Sequence, residues 1–317
     1  MKKVKDMFFK GKNIRGEVGI EIEMEGRGFP HEDLDSWYSK EDGSLRGDSR
    51  EYVLIRPCKR DDVPARLESL SRDLKEVGAT IKPSYRTGVH IHVNIRALTF
   101  VQTFNFIFTY MMLEHLMMEY AGEGRAGNLF CLRVEDAEGV MDNMRKVIKT
   151  KSLAHFHTDE VRYSSMNLKA IKQYGSIEFR GLPFIGDFEK VGTWASLLLA
   201  IKDYSLTLKT PQELAENISK LGPVKLCEEI FGDLLKDLPQ DKWDTLLDGV
   251  RRAQPLIYSD EWKNEATYYV IKLKKGEQNE KINKAIQPNF PQPVAMENGE
   301  PRMQDVIGDL GLFPHPA

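Results

Sequence analysis

The chain has 317 residues, 41% of them apolar and 29% charged, which excludes a wholly disordered polymer. Its 45 Lys and Arg against 48 Asp and Glu leave a net charge of −3. A near-neutral chain has no overall field to hold nucleic acid or an anionic membrane. The length admits about two units or one large α+β domain. Cys58, Cys131 and Cys227 are few and far apart, which argues against a disulfide framework and against a CxxC zinc site.

The first residues, MKKVKDMFFKGKNIRG, are basic but lack the apolar core of a signal peptide. Short strands and turns follow. Residues 19–25 alternate strictly, with Ile20, Ile22 and Met24 on one face and Glu21, Glu23 and Glu25 on the other. Asp42-Gly43 is a turn signal, and 51–56 reads as a strand closed by Pro57. Helical spacing of Leu67, Leu70, Leu74 and Val77 predicts a helix over 64–77, stopped by Gly78. Residues 89–95 alternate again.

A long helix is predicted over 100–120, opened by a Thr99/Gln102 capping box. Its uncharged stretch, 98–113, contains Gln102 and Asn105 and runs into Glu114. That is short of the roughly 20 apolar residues a membrane span needs. We therefore expect a soluble, cytoplasmic protein with a core helix here. A further helix is predicted over 135–148, a strand within 174–182, and a strongly apolar helix over 188–208. Residues 211–275 read as helical pieces punctuated by Gly222-Pro223, Pro239 and Pro255. The last 42 residues, 276–317, hold six of the 15 prolines and read as an extended tail. Strands first and helices later predict an α+β fold.

The polar faces of three strands carry the functional signal. Glu21, Glu23 and Glu25 share the first. His90, His92 and Asn94 share the second, opposite Val89, Ile91, Val93 and Ile95. Ser176, Glu178 and Arg180 share the third, opposite Ile177 and Phe179. A merely solvated strand face favours Thr, Lys, Arg and Ser. Three alternating glutamates repel one another unless a cation sits among them, and alternating histidines are uncommon in strands. Placed on one concave sheet, these groups would line a cleft for hard divalent cations. Mg²⁺ prefers oxygen ligands, and Mn²⁺ also accepts imidazole. Two or three such ions beside Arg180 suit phosphate chemistry. A single-zinc hydrolase using His90 and His92 is the other reading of His-x-His.

The ordered segments GIEIEMEG, DGSLRGDSREYVLI, RTGVHIHVNI and RYSSMNL followed by GSIEFRGLP resemble the amidoligase branch of the glutamine synthetase-like carboxylate–amine ligases. The resemblance spans about residues 17–209. It implies a curved antiparallel sheet of the glutamine synthetase-like catalytic type, flanked by helices, over 1–210. A helical region (211–275) and the Pro-rich tail (276–317) would follow. It implies ATP and Mg²⁺ or Mn²⁺ as cofactors. ATP would phosphorylate a carboxylate, and an amine would attack the acyl phosphate to give an amide or isopeptide bond. Substrates would be small-molecule, peptide or protein carboxylates and amines, without nucleic acid or membrane partners. Such enzymes are frequent in bacteriophage and bacterial genomes, so a phage-encoded copy would act in the host cytoplasm.

Carried over residue by residue, Glu21, Glu23, Glu51, His90 and Glu178 would hold metal. His92 and Asn94 would face the nucleotide, Arg180 would contact the transferred phosphoryl group, and Arg162 the triphosphate. Glutamine synthetase has a basic residue where this chain has Ser176, so Arg162 or Arg125 would complete the phosphate clamp. Its ammonium-binding elements are not evident, so glutamine synthesis is not expected. Asp42 reads as a general base for the amine or as a turn former. His155 and His157 repeat the His-x-His spacing without neighbouring carboxylates. Two further readings keep this fold: an amide hydrolase with nucleotide as cofactor, and an inactive binding or assembly protein.

Overall fold

Apolar alternation builds the sheet. In β1 (Val18–Arg27) the side chains of Val18, Ile20, Ile22 and Met24 are fully buried, and the glutamates take the other face. The other strands are β2 (Trp37–Lys40), β3 (Asp48–Leu54), β4 (Thr80–Lys82), β5 (Gly88–Asn94), β6 (Met166–Asn167) and β7 (Ser176–Pro183). They form one open antiparallel sheet in the order β2-β3-β1-β5-β7-β6, with β4 paired to the end of β1. The computed structural model describes residues 2–84, 86–122, 131–134, 136–137, 139–157, 164–243 and 245–262. Arg125, Arg162 and the tail 276–317 lie outside them.

Directly opposed residues of an antiparallel pair share a face. Glu21 is opposite Val53 on one side and His90 on the other, and Glu23 is opposite Glu51. Lys40 is opposite Glu51, His92 is opposite Glu178, and Glu178 is opposite Asn167. One face of the sheet therefore gathers polar side chains from six strands. The register slips between β5 and β7, so that Arg180 and Gly181 together oppose His90. Such a bulge re-aims side chains. Gly181 makes it possible here, because a Cβ would press on Met118 and Trp194 behind the sheet.

Eight α-helices are described: α1 (Val4–Phe8), α2 (Val63–Glu76), α3 (Phe100–Ala121), α4 (Val140–Thr150), α5 (Ala170–Tyr174), α6 (Phe188–Ser205), α7 (Pro211–Phe231) and α8 (Thr245–Ile257). The fold is thus mixed α+β. One continuous apolar core runs from Val4 to Trp262 between the other face of the sheet and the helices. The Thr99/Gln102 capping box opens α3, which is buried nearly all round. Its Phe106 and Tyr110 pack on Phe179 of β7, with ring centroids 5.6 and 4.6 Å apart. No described helix is long and apolar enough to cross a membrane.

Three predicted boundaries move. The helix expected over 135–148 begins at Val140, after Gly139 in the left-handed region. The strand expected over 51–56 runs over Asp48–Leu54 instead, and the chain bends at Ile55 and Arg56 ahead of Pro57. Pro255 lies inside the last turn of α8 instead of ending it. Two residues follow it, and its missing N–H leaves the Arg251 carbonyl without its intrahelical donor. Gly222-Pro223 does break α7, with Gly222 at φ 76°.

The contact between α3 and α8 depends on one missing side chain. A Cβ on Gly249 of α8 would overlap the backbone of Met112 in α3. Gly249→Ala is therefore expected to lower stability by about 1–3 kcal/mol through overpacking. A urea melt checks this, and an unchanged midpoint would contradict the packing described.

Candidate active site

The polar face of the sheet holds a cavity of about 410 Å³. Its lining includes Glu21 and Glu23 from β1, Lys40 from β2, Glu51 from β3, His90 and His92 from β5, and Glu178 and Arg180 from β7. Asp42, Asn167, Lys169, Ala170, Gln173 and Tyr174 complete it. Residues more than 150 positions apart thus meet in one hollow, as the alternating faces suggested.

Contacts among these groups are dense. His90 Nδ1 lies 3.3 Å from Glu21 Oε2 and 3.7 Å from Glu178 Oε1, and its Nε2 lies 3.6 Å from Glu23 Oε1. His92 Nε2 is 3.4 Å from Glu21 Oε1. Arg180 Nε is 3.1 Å from Glu178 Oε1 and 3.4 Å from His90 Nε2. Lys40 Nζ is 2.9 Å from Glu51 Oε1. Glu23 Oε2 accepts the Gly88 N–H at 2.8 Å, and Glu178 Oε2 accepts the Asn167 amide at 2.7 Å.

Five carboxylates face three cationic side chains and two imidazoles. Glu23 and Glu51 stand directly opposite each other, a like-charge arrangement that destabilises a sheet. The titration behaviour reflects this. Burial opposes ionisation of Glu21, but the hydrogen bonds from His90 and His92 win and hold it far below the usual carboxylate range. Burial, and then the charge on Glu21, push Glu51 up to about 7, although Lys40 pulls the other way. Burial lowers His90, but the bond to Glu21 and the charges of Glu23 and Glu178 outweigh it, so His90 titrates above its ordinary value. Lys40 is likewise raised: burial opposes its charge, and Glu51 leads the groups that favour it.

Ligand atoms of Glu21, Glu51 and His90 all lie within 4.8 Å of one another. Two carboxylates and an imidazole at that spacing fit a divalent cation that takes oxygen and nitrogen ligands. Glu23 and Glu178 flank this trio through His90. Ser176, which stands where a phosphate-clamp base was sought, instead lies 3.0 Å from His92 Nδ1 and fixes that ring. This is how an outer partner orients a ligand-type histidine.

Other expectations land differently. Asn94 does not line the cavity: its amide donates to Gly16 O, and its side-chain oxygen accepts the Arg96 N–H. Glu25 accepts the Arg46 N–H and ties down the turn that carries Asp42. Asp42 is a turn former that also borders the cavity, and its Oδ1 accepts the Ser44 N–H at 2.7 Å. His155 is not among the lining residues.

Sequence reasoning missed Lys40, Asn167, Lys169, Gln173 and Tyr174. The signal for Lys40 was the alternation Tyr38, Lys40 across the hairpin from Glu51. Asn167 sits on a two-residue strand, too short for any periodicity. It also missed Glu114, a fully buried carboxylate in α3. Glu114 accepts the Val134 N–H at 2.9 Å and the Ser165 hydroxyl, while the Ser165 carbonyl accepts the Arg180 N–H at 2.8 Å. The bulge that carries Arg180 is thus anchored to the core helix.

The raised Glu51 and His90 make stability depend on pH. A group raised in the fold stabilises it below its unfolded value and loses that contribution as pH rises through the folded value. Glu21, held low, contributes fully throughout this range. With chelator present, the urea midpoint should fall between about pH 5 and pH 8. Glu51→Gln should make that fall shallower. A flat wild-type profile would mean that Glu51 is ionised in the fold.

A family model described as "Putative amidoligase enzyme" matches residues 34–202, just over half of the chain. The match takes in Glu51, His90, Glu178 and Arg180, while Glu21 and Glu23 lie ahead of it. No curated protein matches the chain. The family match points to an enzyme of ligase type, and the chain belongs to the amidoligase family.

Proposed function

We propose that this protein is an ATP-dependent carboxylate–amine ligase of the glutamine synthetase-like fold, acting in the cytoplasm. The observation that carries the reading is the convergence of Glu21, Glu51 and His90 from three adjacent strands, with Arg180 beside them. Glu21, Glu51 and His90 would hold Mg²⁺ or Mn²⁺, with Glu23 and Glu178 as further carboxylates around His90. When bound, such cations neutralise phosphate oxygens and let ATP activate a carboxylate as its acyl phosphate.

The donor set supports this. A cavity lined by more carboxylates than cations repels a polyphosphate unless metal ions stand between them. Its volume of about 410 Å³ falls within the range of small-molecule sites. The chain's own groups then have distinct tasks. Arg180, held by Glu178 and by the anchored bulge, directs its guanidinium at developing negative charge. His92, fixed by Ser176, keeps Glu21 ionised and oriented. Lys40 balances Glu51 on the opposite wall. Asp42, with Oδ1 committed to its own turn, offers the other carboxylate oxygen to take a proton from the attacking amine. The substrates would be a carboxylic acid and an amine, free or within a peptide or protein.

Incubation with ATP, Mg²⁺, a panel of acids and hydroxylamine tests the reading. Hydroxamate should form only with ATP and the divalent ion, and Arg180→Met should slow it by about 100-fold or more. If no acid gives hydroxamate and no nucleotide binds at millimolar ATP, the ligase reading fails.

A further inference from the structure

We infer that Tyr174 and Gln173, on the last turn of α5, form the seat for the base of the nucleotide; the inference rests on the ligase reading above. Among the described residues lining the cavity, Tyr174 is the one with a large apolar ring. It is 48% exposed, while the rest of the wall, Ala170 apart, consists of charged, amide or imidazole side chains. A polar hollow with a single open aromatic face has one place suited to a planar, weakly polar group.

The position follows the layout of a nucleotide. The carboxylate cluster occupies the centre. His92 comes next, with Nε2 3.4 Å from Glu21. Tyr174 lies one ring further out, its centroid 5.4 Å from that of His92 and its plane perpendicular to it. Phosphates held at the cluster would leave the base at the Tyr174 end.

The backbone that carries the ring is anchored. The Tyr174 carbonyl accepts from Arg96 Nε at 3.0 Å, and Arg96 is itself laid over the Phe9 ring at 3.9 Å. Gly175, in the left-handed region at φ 74°, closes α5 by donating its N–H to Ala170 and Ile171. A pre-positioned ring loses little freedom on stacking. Gln173 adds discrimination. Its Nε2 donates to Tyr174 Oη at 2.7 Å, which sets an amide, with its donor and acceptor atoms, at the edge of the ring.

Calorimetric titration of the full chain in Mn²⁺ with ATP and, separately, with inorganic tripolyphosphate tests this. Tyr174→Ala should weaken ATP by about five-fold or more, the lower end of what base–aromatic stacking is worth. The same variant should leave tripolyphosphate affinity within about two-fold of wild type. Tyr174→Phe should restore most of the ATP affinity, and Gln173→Ala should change the ratio of ATP to GTP affinity. Equal losses for ATP and tripolyphosphate in Tyr174→Ala would show that the ring only props His92, and would overturn the inference alone. So would undiminished ATP affinity. A wild-type chain that binds neither ligand would overturn the ligase reading and this inference with it.

Discussion

Mutual repulsion of carboxylates is the constraint around which this protein is arranged. Glu21, Glu23, Glu51 and Glu178 crowd one face of a sheet, with Glu23 and Glu51 in direct opposition. Each was drawn there by the alternation that buries its apolar neighbours, such as Ile22 beside Glu21 and Phe179 beside Glu178. The sheet cannot satisfy the core and disperse these charges at the same time. Neighbouring groups absorb the conflict: His90 and His92 hold Glu21 ionised, Lys40 pairs with Glu51, and Arg180 spans Glu178 and His90. Burial first, and then the charge on Glu21, still push Glu51 up to about 7, so the repulsion is not fully relieved there. Stored repulsion of that kind is characteristic of functional sites.

The scaffolding around the cluster is built to keep it rigid. The long helix α3 lies behind β7 and sends two kinds of support forward. Phe106 and Tyr110 pack on Phe179, and the buried Glu114 holds Val134 and Ser165 by hydrogen bonds. A buried carboxylate is costly unless its oxygens are satisfied, and here that satisfaction couples the core helix to the strand edge beside Arg180. Gly181 lets the bulge settle against Met118 and Trp194. The polar face is thus charged, while the layer behind it is apolar and closely packed.

Much of this was legible in the sequence, for a physical reason. Period-two alternation over seven or more residues leaves little freedom, so β1 and β5 could be read along with the side chains that share their faces. The capping residues of α3 and the Gly222-Pro223 break were also visible, because each is a local backbone effect. What escaped was set by pairing between distant segments. The strands β2, β4 and β6 have four, three and two residues, too few to show a period. Lys40 and Asn167 belong to the cavity only through strand register. Asn94 shares the alternation of His90 and His92, yet at the strand end its amide finds backbone partners instead. The bulge at Arg180 and Gly181 is a two-against-one mismatch that neither strand reveals alone.

Diffraction from crystals grown with Mn²⁺, recorded for its anomalous signal, most directly tests whether a cation resolves the crowding. The account requires a strong peak bounded by Glu21, Glu51 and His90, with Lys40 and Arg180 close by. A peak elsewhere on the molecule, or none at saturating Mn²⁺, would contradict it.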